Sequence, residues 1–370
     1  MQFRIHRIEL LNALTKVSKA VSSKSPLPAL TGIKFNVENY RLVLTGSDSD
    51  ITIQTHIDES ENILEIIKEG AIVLSSRYIF EIIRKIDSEF VNFEILDGTL
   101  TKITGDSSEF TLNGIKAIDY PKIDLSKNGE NFKINAVLLK NIIDQTIFAT
   151  SDKETRPALT GVNFKSAQGH IECTATDSYR LAKKYIDTND QLAFNITIPG
   201  KSLNEISKII EKDEDIDIYI TDRKILFVLD NAFIQTRLID GTFPDTSRLI
   251  PTSYSYVLNA DSRELLSAID RASLLSTESA NIVKLTMTQN LVTISSSSQE
   301  IGSVEDTITS AIFEGEDLSI SFSAKYLTDA IRAIGSNKIS IYFTGPMKPF
   351  VIKNNSDESI IQLVLPVRTY

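Results

Sequence analysis

Apolar residues recur at helical spacing in S-R-Y-I-F-E-I-I-R-K-I, Ser76 to Ile86, where Ile79, Ile82, Ile83 and Ile86 stand at i, i+3, i+4 and i+7. That spacing puts all four on one face of a helix. Ala324 to Ile334 repeats the pattern with Leu327, Ala330, Ile331 and Ile334, and Gly200 to Ile210 repeats it with Ser207 in one of the four places. An earlier helix is predicted ahead of each, over Ile8–Ala20, Val137–Thr150 and Ser262–Leu275. Between the helices the period changes to two. R-L-V-L-T-G, D-I-T-I-Q-T-H-I, F-V-N-F-E-I-L and K-I-L-F-V-L-D alternate or are rich in β-formers, which predicts strands. Asp97-Gly98 and Asp240-Gly241 supply turn signals between some of them.

The pattern is also periodic on a larger scale. At an offset of 129, Phe3 falls on Phe132, Ile5 on Ile134, Leu10 on Leu139 and Asn12 on Asn141. In the same register Lys24 falls on Lys153, L-P-A-L-T-G (27–32) on R-P-A-L-T-G (156–161), Thr45 on Thr174, Asp48 on Asp177 and Ser49 on Ser178. One register held over some fifty residues is an internal duplication. The three second helices lie 124 residues apart and add a third copy. The chain therefore reads as α+β, three tandem units of two helices and several antiparallel strands, with boundaries expected in L-S-K-N-G-E-N (125–131) and P-T-S-Y-S (251–255). The expected domains are 1–127, 128–253 and 254–370.

Composition narrows the functional classes. The 370 residues are 42% hydrophobic and 24% charged, ordinary for a soluble globular protein. No apolar run of membrane-spanning length occurs, and the N-terminus lacks a secretory layout. Cys173 stands alone, so no internal disulfide forms, and a reducing cytoplasmic setting is expected. The net charge of −10 opposes nucleic-acid binding over the whole surface but leaves room for a locally basic face.

Catalytic and metal patterns are absent from the sequence. His6, His56 and His170 have no ligand spacing. Pro199-Gly200-Lys201-Ser202 resembles the end of a phosphate loop, but Asn195 stands where the first glycine is needed, so it reads as a helix start. The carboxylates of G-S-D-S-D (46–50) suit an inter-strand loop better than a cation site. No G-x-S-x-G and no glycine-rich dinucleotide turn occurs. No cofactor is expected. One stripe does carry meaning. Arg77 and Arg84, Lys201 and Lys208, and Lys325 and Arg332 are equivalent pairs seven residues apart, on the face opposite the apolar stripe. Alone, each pair suits a solvated face with Arg–Glu pairing along the helix. Three copies in an acidic protein suit a surface that contacts phosphate backbone without reading bases.

The triple repeat, the paired P-A-L-T-G phrases, A-T-D-S-Y-R-L-A (175–182), D-G-T-F-P-D (240–245) and the terminal L-P-V-R-T-Y together resemble the bacterial β sliding clamp family, the processivity subunit of the replicative DNA polymerase. The resemblance covers essentially the whole chain. It implies three clamp domains per chain, closing head to tail with a second chain into a homodimeric ring around double-stranded DNA, non-enzymatic and indifferent to sequence. By that resemblance Lys24 and Lys153 approach DNA, and Arg77, Arg84, Lys201, Lys208, Lys325 and Arg332 join them. It implies a pocket for linear peptide motifs of the polymerase α subunit, the clamp loader, other polymerases and repair proteins. Matching positions are Arg156, Leu159, Thr176, Ser178, Tyr179, Arg180, Leu181, Pro244, Arg248 and Leu249, with Pro349, Leu363, Leu365, Pro366, Val367 and Arg368. Apolar side chains would take a hydrophobic anchor while Arg180 and Arg248 frame it with donors. Many relatives have Gly-His-Arg-Leu in place of Ser178-Tyr179-Arg180-Leu181, and methionines in place of Leu365 and Val367, which bears on pocket shape and peptide preference. Phe110, Leu274 and Leu275 match ring-closing positions, although ordinary core is an equal reading of them. The competing classes are an enzyme on a repeated α+β scaffold and an interaction scaffold that does not bind DNA.

Overall fold

The computed structural model describes residues 1–188, 192–276 and 281–368. Thr369 and Tyr370 of the terminal motif lie outside the described residues. The chain divides into two compact units, Met1–Leu139 with Asn204–Leu238, and Lys140–Leu203 with Ile239–Tyr370. Six α-helices occur among the described residues: α1 (Arg7–Val17), α2 (Ser76–Lys85), α3 (Ala136–Thr146), α4 (Gly200–Ile209), α5 (Ser262–Ser273) and α6 (Ala324–Ile334).

The apolar stripes do what their spacing predicts. Ile79, Ile83 and Ile86 around α2 are buried and Ile82 is half-buried, while Leu327, Ala330, Ile331 and Ile334 on α6 are all buried. The first helix of each unit is shorter than its apolar pattern. α1 gives way to a 3-10 turn at Ser18–Ala20 and α3 to one at Ile147–Ala149, while α5 stops at Ser273. Side-chain hydroxyls at these ends bond back to the helix. Thr15 donates to the Leu11 carbonyl at 2.7 Å and Thr146 to that of Ile142 at 2.7 Å. Such back-bonding competes with the regular ladder and favours a tightened last turn.

In the first unit a five-stranded sheet runs in the order Leu64–Lys68, Gln2–His6, Phe90–Asp97, Leu100–Thr104 and Glu109–Asn113. A nine-stranded sheet faces it, in the order Ile115–Lys116, Gly70–Ser75, Gly32–Glu38, Arg41–Ser47, Ile51–Asp58, Ala232–Arg237, Lys224–Val228, Asp215–Ile220 and Glu130–Asn135. Phe3 and Phe93 of the smaller sheet stack at 4.7 Å, and Phe93 meets Phe35 of the larger one at 5.8 Å. These three rings are fully buried and join the two sheets into one core.

The second unit repeats this plan. Its nine strands run Phe194–Pro199, Gly161–Ala167, His170–Thr176, Arg180–Asp187, Asp357–Val364, Phe350–Asn354, Lys338–Phe343, Tyr256–Asp261 and Ile312–Glu314. Its four-stranded sheet runs Gly302–Thr307, Val292–Ser298, Ile282–Met287 and Leu318–Ser323. Phe322 of the smaller sheet packs edge-on against Phe350 of the larger at 5.4 Å. Every strand pair among the described residues is antiparallel. The observed plan is the α+β repeat that the sequence predicts.

Two features of the repeat have a local physical cause. Each P-A-L-T forms a 3-10 turn, over Pro28–Thr31 and Pro157–Thr160, that delivers the chain onto a strand at Gly32 or Gly161. A Cβ at Gly32 would stand 2.8 Å from the Leu74 carbonyl oxygen, and one at Gly161 2.4 Å from that of Ile198. The glycine is repeated because the neighbouring strand passes too close for any side chain. The two D-G signals diverge. Asp97-Gly98 turns a hairpin between adjacent strands, whereas Asp240-Gly241 lies in the long connection between Arg237 and Tyr256. The expected boundary at 125–131 is also shorter than predicted, since Glu130 already pairs with Ile220.

Candidate peptide-docking and DNA-facing surfaces

On the second unit's nine-stranded sheet, Leu181, Val351 and Leu363 form a small buried cluster, with Ile250, Tyr254, Ile361 and Leu365 packed against it. Leu181 and Leu363 are directly opposite each other on adjacent strands. The cluster sits beside a loop whose shape is set by polar contacts. Asp177 Oδ1 accepts the backbone N–H groups of Tyr179 at 2.9 Å and Arg180 at 3.0 Å. Thr176 Oγ1 donates to the Arg180 carbonyl at 2.6 Å and accepts from the Ser178 N–H at 3.1 Å. These bonds hold Ser178 at φ +79, a left-handed conformation, which is costly for any residue with a Cβ. The repeat partner Ser49 has φ +85, with Asp48 Oδ1 accepting from Asp50 and Ile51. The carboxylate of Asp48 in G-S-D-S-D is thus used in its own turn.

Arg180 departs from the role expected of it. Its side chain is 8% exposed, with Nε donating to Asp177 at 3.0 Å and Nη1 to Asp329 of α6 at 2.6 Å. Its guanidinium lies over the rings of Tyr326 at 4.6 Å and Phe148 at 5.3 Å. Tyr179, exposed on its outer side, stacks on Tyr326 with centroids 6.3 Å apart. Burial first, then the nearby Asp177 charge, pushes the Tyr326 hydroxyl above its ordinary range. Arg180 is therefore not a free donor framing the pocket. It is a strut that ties the 177–181 loop to α6. Asp177, Asp329, Phe148 and Tyr326 are the partners that sequence reasoning missed. Only Asp177 carried a signal, through its repeat equivalence with Asp48.

The remaining predicted pocket residues are placed as follows. Arg156 is exposed and reaches the Ser178 hydroxyl with Nη1 at 3.5 Å, while Leu159, whose N–H bonds to the Arg156 carbonyl at 3.0 Å, is buried. Leu365 donates its N–H to the Tyr179 carbonyl at 2.9 Å, which fixes the last segment against the loop. Two residues on, the Val367 N–H bonds to the Ser321 carbonyl at 2.7 Å. Pro366 and Val367 are half-buried and Arg368 exposed. Pro244, Arg248 and Leu249 are exposed on the connection that leads into Ile250, with Leu249 49% open to solvent. Pro349 immediately precedes the strand carrying Val351. Ile250, Tyr254 and Val351 belong to the cluster but escaped the sequence reading, because nothing in their local pattern separates them from strand or loop.

The six repeated basic residues Arg77, Arg84, Lys201, Lys208, Lys325 and Arg332 are all exposed, as are Lys24 and Lys153 on their loops. Their pairing differs between helices. Arg84 bonds Glu81 at 2.6 Å and Lys208 bonds Glu205 at 2.8 Å, both three residues apart. The Arg84 hydrogen bond holds the Glu81 carboxyl below its ordinary range. On α6 the corresponding acid, Asp329, is instead turned to Arg180, so Lys325 and Arg332 have no ion pair among the described residues. Leu274 is 74% exposed, which excludes a core role for it, while Leu275 and Phe110 are half-buried. Among the described residues no cluster of potential metal ligands occurs. Among them, too, no helix is long and apolar enough to cross a membrane.

Three family matches cover the chain. Residues 1–124 match the N-terminal domain of the DNA polymerase III beta subunit, 133–245 its central domain and 247–368 its C-terminal domain. The chain is 44% identical to the beta sliding clamp of Bacillus subtilis strain 168 and 41% identical to that of Staphylococcus epidermidis, covering 100% of each pair. The crystal structure of the DNA polymerase sliding clamp from Bacillus subtilis superposes with a TM-score of 0.95 at 44% identity. The beta chain of DNA polymerase III from Streptococcus pneumoniae does so with 0.95 at 34%, again over 100% of both chains. With its three domains matched in order along its length, the chain belongs to the DNA polymerase III beta subunit family, the beta sliding clamps.

Proposed function

We infer that the chain is the processivity factor of a replicative DNA polymerase, a non-catalytic ring that encircles duplex DNA and slides on it. The observation that carries the ring is the pattern of strand edges. Within the chain, Ile51–Asp58 pairs with Ala232–Arg237, and Arg180–Asp187 with Asp357–Val364. The third strand of each kind, Gly302–Thr307 and Glu109–Asn113, is the last of its sheet and is paired on one side only among the described residues. One free edge of each kind makes a heterologous head-to-tail contact, which must close to avoid growing as a filament. Two chains of three domains, 1–127, 128–253 and 254–370, close it. Phe110 on one edge and Leu274 and Leu275 beside the other supply apolar surface for that closure.

The lumen reading rests on the eight exposed cations. A mildly basic surface on a protein of net charge −10 holds phosphates weakly enough to slide. The half-buried Ile250, Tyr254 and Leu365, packed on the buried Leu181–Val351–Leu363 cluster, take the hydrophobic anchor of a partner's linear motif, with Arg156, Arg248 and the tail to Arg368 around it. The polymerase, its loader and repair proteins are the partners of this site, and a reducing cytoplasm is the setting. The test is retention on closed circular versus linearised DNA. A topological clamp stays on the circle and runs off the line; equal retention on both defeats the reading.

A further inference from the structure

The repeat also fixes which residues meet where two chains join, and this inference rests on the ring proposed above. On one face of the first nine-stranded sheet, directly opposed residues form a continuous row. It runs Val73, Lys34, Thr45, Gln54, then across the domain junction to Phe233, Val228, Asp217 and Lys133. The second sheet repeats it as Thr197, Asn163, Thr174, Lys183, then Ile361, Lys353, Ser340 and Asn259. The starting residues Val73 and Thr197 are 124 apart, the offset of the helices that follow them. The next step of 124 is Ser321, whose row is Ser321, Lys284, Ser295, Glu305, and there the sheet ends. The matching half-row of the first domain is Glu109, Thr104, Asn92, Arg4. Joining the halves as the two complete rows are joined sets Glu305 opposite Glu109.

We propose that the seam between chains closes in this register, with Glu109 of one chain directly opposite the partner's Glu305, and that this like-charge pair makes the seam weaker than the two junctions inside each chain. The in-chain junctions oppose Gln54 to Phe233 and Lys183 to Ile361, never like charges. On the other face the same register sets Phe110 against the partner's Val304, which covers an apolar residue left half-buried in the single chain. Thr111 then meets the partner's Ser303. Lys102 bonds Glu109 at 2.8 Å with both side chains open to water, so it offsets the repulsion only in part. Arg271 beside the other edge is committed to Asp306 at 2.6 Å. Glu305 is exposed and has no ion pair among the described residues. Opposed side chains on antiparallel strands approach to about 5 Å, where like charges destabilise.

Two measurements test this on the full-length protein. The variant Thr111→Cys/Ser303→Cys should give a covalent dimer on mild oxidation, whereas Thr111→Cys/Glu305→Cys, two residues out of register, should not; the natural Cys173 is fully buried and does not interfere. Glu305→Lys should tighten the dimer about fivefold per seam, about 25-fold for a ring with two seams. Glu109→Lys should tighten it likewise, and the double reversal should return the dissociation constant to near wild type, because two lysines then face each other. A wild-type chain that stays monomeric at every concentration defeats the ring itself. A dimer whose affinity ignores both reversals, or which cross-links through the shifted pair, overturns this inference and leaves the ring standing.

Discussion

Replacing Arg180 by alanine removes the one cation held between Asp177 and Asp329 and leaves two carboxylates, 13% and 24% exposed, without it. Breaking a buried ion pair from one side costs about 3–5 kcal/mol. Water reaches Asp329 more easily than a fully buried group, which lowers that figure to about 2 kcal/mol, and loss of the stacking on Tyr326 and Phe148 adds about 1 kcal/mol. The expected total is about 3 kcal/mol, felt by the 177–181 loop and α6. The assay is hydrogen exchange of amides in the 176–184 strand entry and in α6, read beside a denaturant melt, because a chain of several domains does not unfold as two states. In a double-mutant cycle, Asp329→Ala should recover about half of the loss, since it removes one orphaned carboxylate. Peptide capture should weaken through disorder of the loop, so Arg180→Lys, which keeps the charge but not the two-carboxylate fork, should not restore it. Unchanged exchange in Arg180→Ala, or no coupling to Asp329, refutes the strut.

Three further outcomes are expected. Ser178→Gly should stabilise the chain by about 0.5–1 kcal/mol by relieving the left-handed strain at φ +79, and a thermal melt no higher than wild type counts against the strain. Glu264 accepts hydrogen bonds from Ser310 and Thr309 that hold its carboxyl down to about 2. Its stabilisation is therefore complete above the unfolded carboxyl value of about 4.3 and is lost as pH falls through about 2, so Glu264→Gln should be less stable than wild type at pH 7, and the difference should shrink steadily as pH falls from about 4 through 2. Reversing Lys325 and Arg332 to glutamate should speed loss of the ring from circular DNA at low salt, with no change in melting temperature; equal dwell times would remove α6 from the DNA-facing set.

The sequence by itself determined the repeat, the two helices per unit and their buried stripes, because a period of 3.6 or 2 is a local property that one buried face enforces. It also determined the places of special backbone. The glycine of P-A-L-T-G recurs because a neighbouring strand excludes a Cβ at both copies. Tertiary structure decided what long-range contacts alone can decide. Nothing local to Arg180 says that Asp329, 149 residues away, takes its guanidinium. The same contact is why Lys325 and Arg332 on α6 have no ion pair among the described residues, while α2 and α4 pair Arg84 and Lys208 along their own helices. The apolar cluster likewise exists only once the strand at Leu181 lies beside the strand at Leu363. Strand edges belong to the same class. Glu109 and Glu305 look like any solvated carboxylates in the chain, and only the completed sheets show that each ends a row that a second chain can continue.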